Sequence, residues 1–225
     1  MAKTTGSDLL IRALRAEGVD TVFGIAGDHI LHMLDTMFDA PLRMIDFRHE
    51  SGAAHAADSY SRILKKGGVM LSTTPGHANA LPALANAMHS EAPLINIAGS
   101  AESANMGRGA MQEFDQIGAA RHITKGAWDV PTAARIPEYV ALAFRTALSG
   151  RQGPVHLTIP HDFQMAEVDD AEAARYAPNE YGTPLNVLGD PAQIERALDV
   201  LNSAQRPVIF AGSSAGATAL PAEVQ

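Results

Sequence analysis

The chain has 225 residues, of which 46% are apolar and 19% charged, enough for a sizeable core and too ordered a composition for a disordered segment. Its net charge is −8, from 17 basic and 25 acidic residues, and the longest basic cluster is Lys65-Lys66, which excludes nucleic acid as the main partner. Cysteine is absent, so there is neither a disulfide framework nor a thiolate metal site. The start, MAKTTGSDLL, has no apolar signal core, and no apolar run approaches the ~20 residues a bilayer span needs. A cytoplasmic protein with no membrane partner is expected.

Strand-like and helix-like segments alternate along the chain. Ser7–Ala16 reads as a helix stopped by Gly18, Asp20–Ile25 as a buried strand, and Ile30–Phe38 as a short helix with Ile30, Met33, Leu34 and Met37 on one face. Leu42–Phe47 is the next strand and Gly52–Leu64 the next helix, followed by a strand at Val69–Ser72, a helix at Asn79–His89 and a strand at Leu94–Ala98. Residues 99–116 read as a loop, Ile136–Leu148 as a helix and Pro154–Ile159 as a strand ending at Pro160. Strands alternating with helices of this length imply βαβ crossovers, so the expected fold is α/β: a doubly wound parallel sheet with helices on both faces.

The domain expected from this pattern covers 1–163. Residues 164–190 are acidic, contain Pro178 and Pro184 and lack an apolar period, which reads as a linker. A second α/β unit is expected to begin at 191, with a helix at Pro191–Asn202 and a strand at Pro207–Ala211, and to be incomplete within 191–225. One helix and one strand bury no core of their own, so a fragment or a second polypeptide completing the domain is expected.

In parallel sheets, ligands bind beyond the carboxyl ends of the strands, and the informative loops all fall there. They are GIAGDH after the first strand, RHE after the second, TTPGHAN (73–79) after the third and GSAES after the fourth. Gly76 gives TTPGHAN backbone freedom, and the following helix start offers free N–H groups. No Gly-Lys-Ser/Thr follows it, and GIAGDH is not Gly-x-Gly-x-x-Gly, so neither a Walker-type nor a dinucleotide site is indicated. No Gly-x-Ser-x-Gly elbow marks a nucleophilic serine.

Glu50 is the most informative single residue. It stands where the apolar run LRMIDF gives way to a helix rich in Ala, Gly and Ser. A carboxylate there either simply starts the helix, favoured by its dipole, or acts as an acid/base handle beside a bound ring. His49, Glu50 and His55 are spaced His-Glu-x4-His rather than His-Glu-x-x-His, and about 600° of helical rotation separates the two imidazoles, so no metal site is read here.

Taken together, FGIAGDHI, RHESGAAHAADSYSR, TTPGHANALPALANA, GAMQEFDQIGAARHITK and GPVHLTIPHD resemble the thiamine-diphosphate-dependent enzymes of the acetolactate synthase, benzaldehyde lyase, oxalyl-CoA decarboxylase and 2-hydroxyacyl-CoA lyase group. The likeness runs in order over 4–163 and weakly through 191–214, the start of the family's central domain. It implies that 1–163 binds the cofactor's aminopyrimidine and that Glu50 is the activating carboxyl, sharing a proton with the ring nitrogen. It implies that Ala26, Gly27 and His29 face the thiazolium or substrate, with His29 either assisting proton transfer as in benzaldehyde lyase or lying as a solvated loop histidine. Thr74, Pro75, Gly76 and Asn79 match the loop beside the pyrimidine, and Gln112 the glutamine that points at the active site. Met111 stands where the family usually has Phe, and Lys125 lies in the ITK segment.

The family's Gly-Asp-Gly…Asn motif for Mg²⁺ and the diphosphate is missing: Gly27-Asp28 precedes His and Gly189-Asp190 precedes Pro. The resemblance therefore implies thiamine diphosphate as cofactor, with Mg²⁺ held by a diphosphate-binding domain or subunit outside this chain, in a homo- or hetero-oligomer, dimer or tetramer. It also admits FAD through the central domain, without a residue of this chain to bind it. The implied reaction makes or breaks a C–C bond next to a carbonyl. Its substrate is a small 2-keto acid, a 2-hydroxy ketone or an acyl-CoA, and the chain alone is expected to be inactive. The rival reading is a non-catalytic partner subunit that has kept the fold.

Overall fold

The computed structural model describes residues 3–178, 189–210 and 212. Two compact units divide the chain, Met1–Thr183 and Pro184–Gln225. Among the described residues no helix is long and apolar enough to cross a membrane.

The first unit opens with β1 (Lys3–Thr5) and α1 (Gly6–Ala16). Thr5 and Asp8 cap α1 reciprocally, the Thr5 hydroxyl accepting from the Asp8 N–H while the Asp8 carboxylate accepts from the Thr5 N–H. Then follow β2 (Thr21–Gly24), α2 (Leu31–Phe38), β3 (Arg43–Asp46), α3 (Glu50–Leu64), β4 (Gly68–Ser72), α4 (Thr74–His89) and β5 (Leu94–Ser100). After a long irregular segment come α5 (Gln116–Ala120), β6 (Ala127–Asp129), α6 (Ile136–Leu148), β7 (Val155–Pro160), α7 (His161–Met165), β8 (Glu167–Asp169) and α8 (Asp170–Tyr176).

Six strands form one sheet in the order β3-β2-β4-β5-β7-β6, all pairs parallel. The expected fold class is the observed one. The runs GVMLS and LINIAGS are buried at every position, as strands covered on both faces must be. One apolar cluster contains Leu10 and Leu14 of α1, Val140 and Phe144 of α6, and Ile95, Ile97 and Leu157 of the sheet. A second joins α3 and α4 through Ala53, Ala57, Ala83 and Leu84 over Met70 and Leu94. The small residues of α3 allow close approach: a Cβ on Gly68 of β4 would lie 2.1 Å from the Ala57 carbonyl oxygen. Buried Asp58 ties the two helices, accepting from Asn86 Nδ2 at 3.0 Å while pairing with Arg62.

Chain order reverses twice in this sheet. From β2 the chain steps out to β3, then returns across β2 to β4; from β5 it steps out to β6, then returns to β7 in between. Each reversal leaves a crevice at the carboxyl edge, the place where such sheets take ligands.

Three sequence expectations differ from the structure, and some short elements were not foreseen. The helix expected from Asn79 begins at Thr74, because Pro75 in the first turn presets its backbone angle and lacks only an N–H that would be unbonded there. TTPGHAN is thus mostly helix rather than loop. Strand β6 and helix α5 were not anticipated; each is five residues or fewer, too short to show a period.

The stretch expected to be linker from 164 is structured in its first part. Residues Glu167–Asp169 pair antiparallel with Lys3–Thr5, and Val168 and Ala173 are buried. The Gly6 N–H donates to the Ala166 carbonyl at 3.1 Å. In the second unit, described by itself, α9 (Pro191–Ser203) is capped by Asp190 and carries exposed Ile194, Leu198 and Leu201. The strand expected at 207–211 is not formed over 207–210, where Val208, Ile209 and Phe210 are exposed; a strand needs a partner ladder, and none is present among the described residues. Ala211 lies outside the described residues.

Candidate active site at the carboxyl edge of the sheet

Glu50 opens α3, and His49 caps that helix by accepting the Ser51 N–H on Nδ1 at 3.2 Å. The Glu50 side chain is half-buried and points across to α4. Asn79 Nδ2 donates to Glu50 Oε2 at 2.9 Å. The other carboxylate oxygen, Oε1, lies over Gly76, where a Cβ would come within 2.8 Å of it. Glu50 makes no ion pair among the described residues, and Oε1 no hydrogen bond among them. The carboxylate is thus gripped through one oxygen, with the second lying above a residue that has no side chain. Glu50, Gly76 and Asn79 come together as the sequence suggested.

The loop after β2 closes the first crevice. A Cβ on Gly27 would come within 2.5 Å of Thr73 Cγ2, so a larger residue seats this loop against the start of α4 only if the Thr73 side chain moves. Ala26 and Pro75 are exposed, while Thr74 is 2% exposed. His29 is not a solvated loop histidine: it is 3% exposed, its Nδ1 lies 3.4 Å from Thr74 Oγ1, and its backbone carbonyl accepts from Gln164 Nε2 at 2.7 Å. Burial lowers its pKa, with neighbouring His161 adding to the effect and Asp28 opposing it. The imidazole is therefore neutral at physiological pH.

The other residues lie elsewhere. Gln112 is exposed, with a left-handed φ of 58°. It sits in the segment between β5 and α5, which Glu113 organises by accepting the N–H groups of Gly107, Gly109 and Ala110. Lys125 turns away to the carboxyl end of α6, where its ammonium donates to the carbonyls of Thr146 and Ser149, the usual place for a cation near helix carbonyls. His55 lies on the exposed face of α3.

Sequence reasoning missed a buried polar chain beside the second crevice. Gln116 Nε2 donates to Thr74 Oγ1 at 2.9 Å and to the Gly99 carbonyl at 3.1 Å; Thr158 Oγ1 donates to Gln116 Oε1 at 3.2 Å. Asn96 Nδ2 lies 2.8 Å from His77 Nδ1 and 3.0 Å from His156 Nδ1, and the two imidazoles stack with centroids 4.0 Å apart. His77 Nε2 is 3.2 Å from the Gln116 carbonyl, and His156 Nε2 is 3.0 Å from Thr158 Oγ1. Burial drops the His77 pKa to about 4 and that of fully buried His156 well below its ordinary value. The available signal was Asn96 within LINIAG and His156 within PVHLTI: a polar residue inside a strand buried on both faces has to find a partner.

Comparisons with known proteins agree with this geometry. The family model for the N-terminal TPP-binding domain of thiamine pyrophosphate enzymes matches residues 4–119. The probable acetolactate synthase large subunit of Methanocaldococcus jannaschii is 37% identical over 209 residues, 92% of this chain and 35% of that protein. The acetolactate synthase isozyme 2 large subunit of Escherichia coli is 36% identical over 219 residues, 96% of this chain and 39% of that protein. The solved thiamine diphosphate-dependent 4-hydroxybenzoylformate decarboxylase of Rhodococcus jostii RHA1 superposes with a TM-score of 0.86 at 28% identity, covering 95% of this chain and 40% of that one. The chain thus spans well under half the length of these relatives. Its parallel sheet, the carboxylate at the start of α3 and the match over 4–119 show that this chain belongs to the thiamine pyrophosphate enzymes and carries their N-terminal cofactor-binding domain.

Proposed function

We propose that this chain supplies the aminopyrimidine side of an acetolactate synthase-like enzyme that makes or breaks a C–C bond next to the carbonyl of a 2-keto acid. The observation that carries the reading is the Glu50 carboxylate, held through Oε2 by Asn79 and, among the described residues, left without a partner at Oε1 above Gly76. The residues fit the group: an acid free of cations, a flat approach over glycine and the N-terminal turn of α4 alongside. Bound here, thiamine diphosphate supplies an electron sink for carbanion equivalents.

The part of this chain would be to hold and move a proton at Glu50 Oε1, beside the aminopyrimidine, while Asn79 holds the other carboxyl oxygen, Oε2. A proton relay of this kind contributes roughly 10²–10⁴-fold to rate. Mg²⁺ and the diphosphate would be gripped by a domain or subunit beyond this chain. Gln112, exposed on the segment after β5, would meet substrate once those parts are in place.

A lyase acting on 2-hydroxy ketones or 2-hydroxyacyl-CoA is the second reading, favoured by burial of a neutral His29 at the same edge. The test is Glu50→Gln in the enzyme assembled with its diphosphate-binding part. A loss of turnover of at least a hundredfold, partly restored by Glu50→Asp, is expected. Unchanged cofactor-dependent turnover would refute the role of Glu50, and absence of turnover in the parent assembly would favour a non-catalytic partner subunit.

A further inference from the structure

The buried polar chain ends at His29, and the groups along it that can only accept fix the direction of its hydrogen bonds. We propose that Thr74 and Gln116 are positioning residues that hold His29 as the tautomer protonated on Nδ1, leaving Nε2 as its bare, proton-accepting nitrogen. The proposal rests on reading His29 as a proton-transfer group of the site above, and it specifies which atom takes the proton.

The direction follows from groups that can only accept. Gln116 presents one end of its amide to the Gly99 carbonyl at 3.1 Å; a carbonyl cannot donate, so that end is Nε2. Its other N–H goes to Thr74 Oγ1 at 2.9 Å. The Thr74 hydroxyl proton then has two neighbours, the Gly99 carbonyl at 3.2 Å and His29 Nδ1 at 3.4 Å. Given to the nearer carbonyl, it leaves a Thr74 lone pair facing Nδ1, which only an N–H can fill. The opposite choice directs the hydroxyl proton along the longer contact, to Nδ1, and puts the His29 proton on Nε2; the shorter contact to the Gly99 carbonyl favours the first arrangement.

The far end of the chain is compatible with this orientation of Gln116. His77 Nε2 faces the Gln116 backbone carbonyl, so it carries the proton and Nδ1 is bare. Asn96 must present its amino group to that nitrogen, and its second N–H meets His156 Nδ1. His156 is therefore protonated on Nε2 and donates to Thr158 Oγ1, whose own proton has Gln116 Oε1 at 3.2 Å and the Asp129 carboxylate as acceptors. The residual cost is Asn96 Oδ1, buried without a partner. Each histidine holds a single proton, because burial disfavours the cation.

The test is a long-range ¹H–¹⁵N correlation spectrum of the imidazoles in the 225-residue chain, with His29→Asn identifying the signals of His29. The expected result is His29 protonated on Nδ1, with His77 and His156 protonated on Nε2. In Thr74→Val, which removes the acceptor while nearly keeping the shape, the Nδ1–H signature of His29 should be lost in favour of Nε2–H. His29 protonated on Nε2 in the parent overturns the proposal. So does a retained Nδ1–H signature in Thr74→Val with the backbone amide spectrum otherwise preserved; if that variant does not fold, the parent spectrum decides. No cofactor is added, so failure here is distinct from failure of the Glu50 test, which reads turnover.

Discussion

Mild acid should destabilise the first unit, and the loss can be sized from His77. Its pKa is about 4 in the fold against an ordinary value of 6.5. Between these values the unfolded chain binds a proton that the folded chain refuses, so stability is fully present above pH 6.5 and falls as the pH drops towards 4. Each pH unit inside the window removes about 1.4 kcal/mol, which amounts to about 2 kcal/mol from His77 by pH 5. His156 and His29 are shifted in the same direction and add to the loss. Glu113 and Glu138 are lowered from 4.5 and begin to contribute only below that value, so the range from pH 6.5 to 5 separates the buried imidazoles from them, while Asp129, raised by burial, takes up its proton first in the fold and opposes the loss towards the acid end. Urea unfolding followed by circular dichroism at pH 7.5, 6.0 and 5.0 measures the slope, and His77→Gln should flatten it by close to one proton. A stability independent of pH across that range, or equal slopes in the parent and His77→Gln, would refute the buried-neutral assignment.

Three further outcomes follow from the packing. Gly76→Ala places a Cβ 2.8 Å from Glu50 Oε1, so the carboxylate must swing away; the fold should survive, the Asn79 side-chain amide signal should move, and thiamine diphosphate should bind the assembled enzyme about tenfold more weakly, or about 1.4 kcal/mol. Ile97→Ala, at a fully buried position of β5, should cost about 2–5 kcal/mol in chemical denaturation. Ending the chain at 163 removes β8 and α8 with buried Val168, and Gln164 with its bond to the His29 carbonyl, and should lower the melting temperature by at least about 5 °C, from a loss of at least about 2 kcal/mol.

The sheet and its flanking helices were legible because their signals are long. GVMLS, LINIAGS and VHLTIP are continuous apolar runs broken by single polar residues, and α6 begins and ends at Ile136 and Leu148, the limits its period suggested. What escaped was short or non-local. Glu167–Asp169 is a three-residue strand whose partner, Lys3–Thr5, lies at the other end of the chain, so no local pattern marks it. PVIF has strand propensity but no ladder to join among the described residues, and propensity without a partner does not make a strand. Glu50 was legible from its place between an apolar strand and a small-residue helix. Gln116, four residues beyond Gln112, was not, because only the fold shows that one side chain is exposed and the other is bonded to Thr74, Gly99 and Thr158.

The two reversals of strand order explain why these groups lie together. The first opens between β2 and β4 and is filled by Gly27 against Thr73, with Glu50, Gly76 and Asn79 beside it. The second opens between β5 and β7, where Asn96 and His156 are register neighbours and Thr158 reaches Gln116. Helix α4 belongs to both: Gly76 and Asn79 face the carboxylate, while Thr74 and His77 face the buried chain. The side chains that hold the start of α4 therefore also set the height of Gly76 under Glu50, so the polar chain is coupled to the acid although it touches neither carboxylate oxygen. A substitution at Asn96 or His156 acts on the site through the seating of one helix end, the element that both crevices share.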